Sequence, residues 1–364
     1  MLKNIMFLSI LTIFASTLLA KAPDGITFPS TVYLEKVPNG TALNFEFCFK
    51  VQEDCSLFLV TFKYLDKDGE AIRYRRLVTH HLPDLARFVS VFDAKNQISH
   101  CTSTFSKGDF CAITHPYAEQ TWPSVKPVFV ECTAFIKLKS NNSMQTKSLK
   151  VPIKGHEDTP KISLPFKGSW WHLEGHDTFS HHRRIFYKQN TNYFAFDFIK
   201  VDEKLSVCKG SGAKNEDYYA FGEPVLAAAE GKIVNVIDGI ADNPIGGRAK
   251  GFNPTDAKYA GGNTVIIKHG DKLYSYYAHF KKDTICVKKG QLVKTGTKLG
   301  ICGNSGNSDA PHIHFHLAES PSLSAIGAHG VPPLFTKFQI KAGKVWSTLH
   351  KCGLLAGEIV RPTP

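Results

Sequence analysis

The chain has 364 residues and a formal net charge of +12, with 44 lysines and arginines against 32 aspartates and glutamates. This length favours two domains, each long enough to have its own core. The positive charge favours anionic partners, such as cell-wall polymers, acidic lipid surfaces or nucleic acid. Nucleic acid is disfavoured, because no run of lysine and arginine is interleaved with aromatic residues.

The first 22 residues have the composition of a secretory signal peptide. Lys3 supplies a positive charge, residues 5–19 form an almost unbroken apolar run, and residues 20–22 read A-K-A, a small-residue cleavage site. The apolar run is shorter than the ~20 residues that a spanning helix needs. We therefore predict export to the periplasm or the extracellular space, followed by cleavage. Removal of Lys3 and Lys21 leaves a net charge of +10.

All nine cysteines lie after this segment. An oxidising compartment would allow most of them to pair, and an odd count leaves at least one thiol free or bound to another molecule. No C-x-x-C pair occurs, which disfavours a cysteine-based structural zinc site. The nine are Cys48, Cys55, Cys101, Cys111, Cys132, Cys208, Cys286, Cys302 and Cys352.

Residues 23–160 consist of short segments in which apolar and polar residues alternate, separated by turn residues. This pattern predicts a β-sandwich-like domain, whose role the sequence does not reveal. Its histidines lack metal-ligand spacing, and we expect them on the surface or in loops. Residues 154–160, polar and ending in proline, are the predicted linker. The strand candidates are residues 43–49, 56–65, 88–92, 128–138 and 148–153, and the histidines are His80, His81, His100 and His115.

Residues 161–340 are predicted to form a second, antiparallel β domain, because strand patterns follow one another without a helical segment between them. In residues 193–199 Asp197 lies on an apolar strand, where an aspartate is costly unless it is paired or coordinated. Residues 238–262 read as a long irregular loop of the kind that often lines a binding site. Residues 341–364 are the predicted C-terminal tail. Further strand candidates are residues 263–269, 272–278, 284–288, 298–302 and 338–345.

Residues 310–318, APHIHFHLA, place three histidines on one face of a predicted strand and three apolar side chains on the other. Imidazole is the commonest metal ligand in proteins, so this face predicts a metal site. The helical zinc-protease signature H-E-x-x-H is absent, and GNSG at residues 303–306 does not fit the serine-hydrolase elbow G-x-S-x-G. The histidines are His312, His314 and His316, and the apolar residues are Ile313, Phe315 and Leu317.

Four segments, in this order, resemble the lysostaphin-type (LytM-like) zinc endopeptidases, which cut the peptide cross-links of bacterial peptidoglycan. The resemblance covers residues 193–318 and leaves residues 23–160 unexplained. It implies an antiparallel-β peptidase domain with one Zn2+, and peptidoglycan stem peptides or cross-bridges as the substrate. The segments are GNTVIIKHG at 262–270, YYAHF at 276–280, VKKGQLV at 287–293, and GNSGN at 303–307 leading to HIHF at 312–315.

The resemblance also implies roles for individual residues. His314 and Asp197 would bind zinc, while His279 and His312 would be catalytic histidines that are not ligands. With three protein ligands, zinc keeps a position for water, lowers the pKa of that water and polarises the scissile carbonyl. One catalytic histidine would move the proton to the leaving amine while the other donates to the oxyanion. The sequence does not distinguish these two roles.

The chain departs from the family at its first motif, H-x-x-x-D, where Tyr193 takes the place of the histidine. In a branch of the family that also ends its second motif H-F-H-L, an upstream histidine fills this place, and His182 or its neighbour His181 is the candidate here. His316 shares the histidine face, and we expect it to be exposed or to support a ligand. Ligation by His316 itself is the alternative.

Three other functions are compatible with the sequence. The loss at Tyr193 would suit a catalytically inactive wall-binding protein, or an activator of another wall hydrolase. The N-terminal domain could carry the main role by binding a protein partner. Finally, this domain or residues 166–184 could cover the peptidase groove and keep the enzyme latent.

Overall fold

We describe a computed structural model of the chain, which covers residues 25–78, 88–93, 98–100, 102–116, 122, 125–155, 162–176, 181–184, 190–253, 258–322 and 329–363. The predicted signal peptide, His80, His81 and residues 156–160 of the predicted linker lie outside these residues. Within the described ranges, no helix has both the length and the apolar character needed to cross a membrane.

The regular structure of the described residues is almost entirely β, which confirms the predicted fold class. Helices are limited to α1 (His181–Arg184), α2 (Lys258–Gly261) and two 3-10 turns, Asn190–Asn192 and Asn215–Asp217. The chain divides into two compact units. Of the described residues, those within 25–34 and 40–155 form the first unit, and Glu35–Asn39 together with those within 162–363 form the second.

The first unit is a sandwich of two sheets around one core. Along the strand Phe129–Leu138 every second residue is buried, as expected for a strand with one face on a core. Phe47 and Val91 of one sheet share a core cluster with Phe62 and Val130 of the other. The sheet orders are β1-β4-β10-β7-β8 and β3-β2-β12-β11-β5-β6, with β9 beside β5. The strands are β1 (Ile26–Phe28), β2 (Val32–Val37), β3 (Gly40–Ala42), β4 (Glu46–Lys50), β5 (Cys55–Leu65), β6 (Ala71–Val78), β7 (Val89–Phe92), β8 (Ile98–His100), β9 (Thr104–Phe105), β10 (Phe110–Thr114), β11 (Phe129–Leu138) and β12 (Met144–Gly155).

His115 lies directly after β10 and outside the strands, as the predicted loop position allows, but its side chain is buried and not on the surface. Its Nε2 lies 2.7 Å from the hydroxyl of Tyr64, and its ring stacks on Phe45 with 4.7 Å between ring centres. A hydrogen bond and aromatic packing offset the cost of burying an imidazole. Neither partner is near His115 in sequence, so the local pattern did not reveal them.

The cysteines of the described residues are all free thiols, so the pairing that an oxidising compartment would allow is not seen among them. Cys48, Cys55, Cys111 and Cys132 are buried on strands of the first unit, where they pack as small apolar side chains. Burial raises the pKa of the Cys55 thiol to about 11. Cys101 lies outside the described residues.

The second unit contains one large sheet, in the order β19-β16-β17-β18-β21-β14-β13-β25-β23-β24, with β22 beside β21 and a separate pair β15-β20. Within the described residues, the pairings between the strands of this unit are antiparallel. The strands are β13 (Trp170–Glu174), β14 (Phe196–Lys200), β15 (Pro224–Leu226), β16 (Gly231–Ile237), β17 (Asn263–Gly270), β18 (Leu273–Phe280), β19 (Leu292–Val293), β20 (Lys298–Ile301), β21 (Ile313–Ala318), β22 (Gly330–Val331), β23 (Phe335–Ala342), β24 (Val345–Cys352) and β25 (Ile359–Pro362).

Two segments of this unit differ from the predicted strands. Residues 341–364, the predicted tail, contain β24 and β25, and β25 pairs with β13 inside the large sheet. Most of β24 is exposed, so it lacks the apolar alternation that would have identified it. Residues 284–288 form no strand. The Cys286 N–H donates a hydrogen bond to the carbonyl of Leu299 on β20, but residues 284–288 do not form the regular hydrogen-bond pattern of a strand pair.

His172 lies deep in the core of the second unit. It is 0% exposed, its ring packs 4.8 Å from that of Phe196, and its Nδ1 lies 2.8 Å from the Leu355 carbonyl oxygen. Since a carbonyl only accepts, Nδ1 carries the proton of the neutral ring. Burial lowers the pKa of His172 to about 3.

We therefore expect His172 to make the metal-free protein less stable in acid. The unfolded chain takes up a proton near pH 6.5 and the folded His172 does not, so its contribution falls as the pH drops from about 6.5 towards 3. Between pH 7 and pH 5 this amounts to about 2 kcal/mol. Denaturant unfolding of wild type and His172→Asn, which keeps a donor for Leu355, should give a shallower pH dependence in the variant. Parallel curves would contradict the prediction.

The second unit also includes a short segment from near the start of the described chain, Glu35–Asn39. Glu35 and His176 are both buried, with 2.6 Å between Oε2 and Nε2. The Lys36 carbonyl accepts from the Gly353 N–H at 2.7 Å. The Lys36 ammonium donates to the His350 carbonyl at 3.1 Å. A fragment that begins near residue 161 therefore lacks part of the second unit.

Candidate metal centre

Neighbouring strands of the large sheet bring the predicted site residues into one row. Asp197 of β14 lies opposite His314 of β21, which lies opposite Ala278 of β18, and His279 follows Ala278. Facing residues of antiparallel strands point to the same side of a sheet. Asp197 and His314 therefore share a face, while the alternate residues Ile313, Phe315 and Leu317 lie in the core, as the sequence pattern predicts.

Three side chains converge on this face. His182 Nε2 lies 3.0 Å from one carboxylate oxygen of Asp197, and His314 Nδ1 lies 2.8 Å from the other. One donor atom from each residue lies within 4.8 Å of the other two. His182 comes from the short helix α1, and both imidazoles are nearly fully buried.

These residues fit a zinc ion by both chemistry and spacing. Imidazole nitrogen and carboxylate oxygen are common zinc ligands, and two ligands of a tetrahedral zinc lie about 3.4 Å apart. The observed separations are a few tenths of an ångström shorter. Three protein donors would leave the fourth position for water or substrate, as in catalytic zinc sites. The side chain of His181 lies outside the described residues.

Tyr193, which stands where the first motif of the family has a histidine, is 0% exposed. It packs edge-on against Phe194 at 4.9 Å and lies 5.9 Å from the guanidinium of Arg183. Arg183 follows His182 in α1. The tyrosine therefore packs against the segment that carries His182, which provides the third donor of the cluster.

His279 and His312 lie beside the cluster, with 4.7 Å between their ring centres. His279 Nδ1 lies 2.7 Å from the Ser305 carbonyl oxygen, and His312 Nδ1 lies 2.8 Å from that of Ala310. Both Nδ1 atoms must donate, so each neutral ring keeps an unprotonated Nε2. His312 Nε2 lies 3.5 Å from an oxygen of Asp197. The two rings are thus held in the tautomer that can accept or return a proton at Nε2.

The GNSGN turn at residues 303–307 brings the Ser305 carbonyl to His279. Gly306 has a φ of 79°, and a Cβ there would lie 2.3 Å from the amide nitrogen of Gly262. Only glycine fits such an approach. His279 itself has a φ of 63°, a left-handed conformation that is rare for residues other than glycine and often found at functional sites.

The ionisable groups of the metal-free site shift one another's pKa values. Burial raises the pKa of Asp197, but His182 and His312 lower it by more, so that it lies well below its usual range. Burial, reinforced by His312 and His314, holds the pKa of His279 well below its ordinary value. Burial also lowers the pKa of His312, but the charge of Asp197 outweighs this effect and the net shift is upward. An ionised Asp197 is the form in which a carboxylate binds a metal, and a neutral His279 is the form that can accept a proton.

Two residues next to His314 complete this region. His316 is 1% exposed, and its Nδ1 lies 3.0 Å from His314 Nε2, on the ring edge opposite Asp197. The Oδ1 of Asn192 lies 2.9 Å from the same Nε2. The sequence does not indicate Asn192 as a site residue, because a lone asparagine carries no periodic or spacing signal. Its only sequence clue is its place directly before Tyr193.

Comparisons with known proteins show that the segment around His279, His312 and His314 is similar to a peptidase family. The family model described as Peptidase family M23 matches residues 214–323. This segment contains His279, His312 and His314, whereas His182 and Asp197 precede it. Peptidoglycan DD-endopeptidase ShyA of Vibrio cholerae serotype O1 is 45% identical over 56 residues, 15% of this chain and 13% of that protein.

Two further relatives are named NlpD. Murein hydrolase activator NlpD of Escherichia coli (strain K12) is 30% identical over 118 residues, 32% of this chain and 26% of that protein. Lipoprotein NlpD of Yersinia enterocolitica is 33% identical over 96 residues, 26% of this chain and 77% of that protein. The chain thus spans 13% of the ShyA sequence and 26% of the E. coli protein, but most of the Yersinia protein.

Proposed function

Because the chain belongs to peptidase family M23, we propose that it is an exported zinc-dependent endopeptidase that hydrolyses peptide cross-links in bacterial peptidoglycan. The observation that carries the proposal is the convergence of His182, Asp197 and His314, with His279 and His312 beside them. The name of the ShyA relative supports peptidoglycan as the substrate. The basic charge of the chain suits an anionic wall polymer in the periplasm or the extracellular space.

His182, Asp197 and His314 would hold the metal. A bound zinc ion supplies a water of lowered pKa and polarises the scissile carbonyl. The Ser305 and Ala310 carbonyls orient His279 and His312, so that Nε2 of one ring can take a proton and later return it to the leaving amine. Nε2 of the other ring, when protonated, can donate to the carbonyl oxygen as that oxygen gains charge.

An activator of another wall hydrolase is the second candidate, and the name of the E. coli relative favours it. An inactive wall-binding protein is a related candidate, motivated by Tyr193. Neither role needs a compact set of donors with two oriented histidines beside it. The retained His182, Asp197 and His314 therefore favour the enzyme.

Zinc content of the purified protein tests the proposal and the choice between His181 and His182. We expect one zinc in the wild type and in His181→Ala, and almost none in His182→Ala, because His182 Nε2 lies 3.0 Å from Asp197 and His182 belongs to the donor cluster. Metal analysis after zinc supplementation and dialysis gives these values. The rate at which each variant digests purified peptidoglycan should then be high where zinc is bound and low where it is lost.

The outcomes separate the candidates. A zinc-supplemented wild type without metal would contradict the enzyme and favour wall binding or activation. Zinc retained in His182→Ala but lost in His181→Ala would move the ligand to His181. Metal-loaded wild type that releases no peptide from peptidoglycan would contradict the proposed substrate.

A further inference from the structure

The ring of His314 has close polar contacts on both edges. Its Nδ1 lies 2.8 Å from Asp197, while its Nε2 lies 3.0 Å from His316 Nδ1 and 2.9 Å from Asn192 Oδ1. The proposed metal site uses only the Nδ1 edge. The two contacts on the other edge therefore need their own explanation.

The position of the proton on His314 determines which atoms donate and which accept in these contacts. A neutral imidazole has one proton, and a metal-binding nitrogen must be unprotonated. If His314 Nδ1 binds the metal, its proton lies on Nε2, which then donates. Asn192 accepts through its amide oxygen, and His316 accepts through an unprotonated Nδ1. One N–H shared between two acceptors is a common three-centre arrangement.

We infer that Asn192 and His316 are positioning residues that hold the Nε2–H of His314 and so direct its Nδ1 lone pair at the metal. The inference rests on the proposed zinc site. Neighbours that hold the remote N–H of a ligating histidine fix its tautomer and orientation, and they also make the ring a better donor.

The packing of His316 supports a role beyond filling space. Its ring stacks on Tyr276, the facing residue of β18, with 4.3 Å between ring centres and 14° between planes. The same geometry leaves His316 Nε2 buried without a hydrogen-bond partner among the described residues. A buried polar group without a partner costs free energy. A phenylalanine would stack equally well without this cost, so stacking alone does not explain the histidine.

The position of His316 also argues against its being a ligand together with His314. Its Nδ1 faces the Nε2 edge of the His314 ring, whereas the donor cluster is on the Nδ1 edge. Asn192 lies on that same remote edge. Both residues thus act through His314.

Matched substitutions in the full chain separate positioning from packing. His316→Phe keeps a ring on Tyr276 but removes the acceptor, whereas His316→Asn keeps an acceptor near the position of Nδ1 and removes the ring. Asn192→Leu removes the acceptor, and Asn192→Asp keeps it. We expect zinc affinity, measured by competition with a chelator, to fall about 10–100-fold in His316→Phe and Asn192→Leu. His316→Asn and Asn192→Asp should remain close to wild type.

Two further measurements identify the role. The absorption spectrum of the cobalt(II)-substituted His316→Phe should keep the wild-type shape, because the ligands are unchanged, and a changed shape would make His316 a ligand and overturn the inference. The melting temperature in chelator should not fall in His316→Phe. Wild-type zinc affinity in His316→Phe, or equal weakening in His316→Phe and His316→Asn, would also overturn it. A wild type that binds no zinc would instead refute the proposed function, and the inference with it.

Discussion

Asp197→Asn is expected to lose zinc, and peptidoglycan hydrolysis with it. Asp197 lies at the centre of the site, since His182 and His314 contact its two oxygens at 3.0 Å and 2.8 Å and His312 approaches at 3.5 Å. The substitution keeps the shape but removes the negative charge and replaces one carboxylate oxygen by an NH2 group, which has no lone pair for a metal. We expect zinc affinity to fall at least about a thousandfold. Chelator competition measures the affinity, and peptide release from peptidoglycan measures the activity.

The matched control is Asp271→Asn, because Asp271 is fully exposed and lies 3.9 Å from the Lys268 ammonium. It should keep the zinc content and activity of the wild type. Circular dichroism must show that Asp197→Asn remains folded, since the change also leaves imidazoles without their anion. Tight zinc binding by a folded Asp197→Asn would exclude this carboxylate as a ligand.

His279→Asn and His312→Gln should each keep zinc but lose about 10²–10⁴-fold in turnover, as expected when a general acid–base group is removed. Neither ring belongs to the donor cluster, and each is held by a carbonyl on its Nδ1 side. Asparagine suits position 279, because the backbone there has a φ of 63° and asparagine tolerates that conformation better than alanine. Zinc analysis and rates of peptide release under saturating zinc give the two quantities.

An exposed histidine provides the comparison for these variants. His350→Gln changes a surface side chain and should leave both zinc content and turnover unchanged. Zinc loss in His279→Asn or His312→Gln would move that residue to the ligand set. Full activity in either variant would remove it from the catalytic step.

Strand patterns and the histidine face could be predicted because they depend on local periodicity. The alternation in residues 312–317 places Ile313, Phe315 and Leu317 in the core and His314 and His316 on the other face, as the structure has them. The local pattern also indicates that Asp197, a carboxylate on an apolar strand, needs a partner.

The remaining parts of the site depend on contacts between residues far apart in sequence. His182 meets Asp197 across 15 residues, and Asn192 meets His314 across 122. Tyr193 reads as a missing ligand in the sequence, whereas in the structure it packs against Phe194 and lies near Arg183. No periodicity or spacing rule encodes such contacts, which explains why the sequence left His181 and His182 as alternatives and did not indicate Asn192.

The segment Glu35–Asn39 affects the order in which the protein can be made and folded. Lys36 meets His350 across 314 residues, and Glu35 meets His176 across 141. At about 5–20 residues per second, a ribosome needs ~15–60 s to synthesise the stretch from Lys36 to His350. The second unit therefore cannot complete its fold until the ribosome has synthesised His350. A proteolytic cut between residues 156 and 160 would leave one of its segments covalently attached to the first unit.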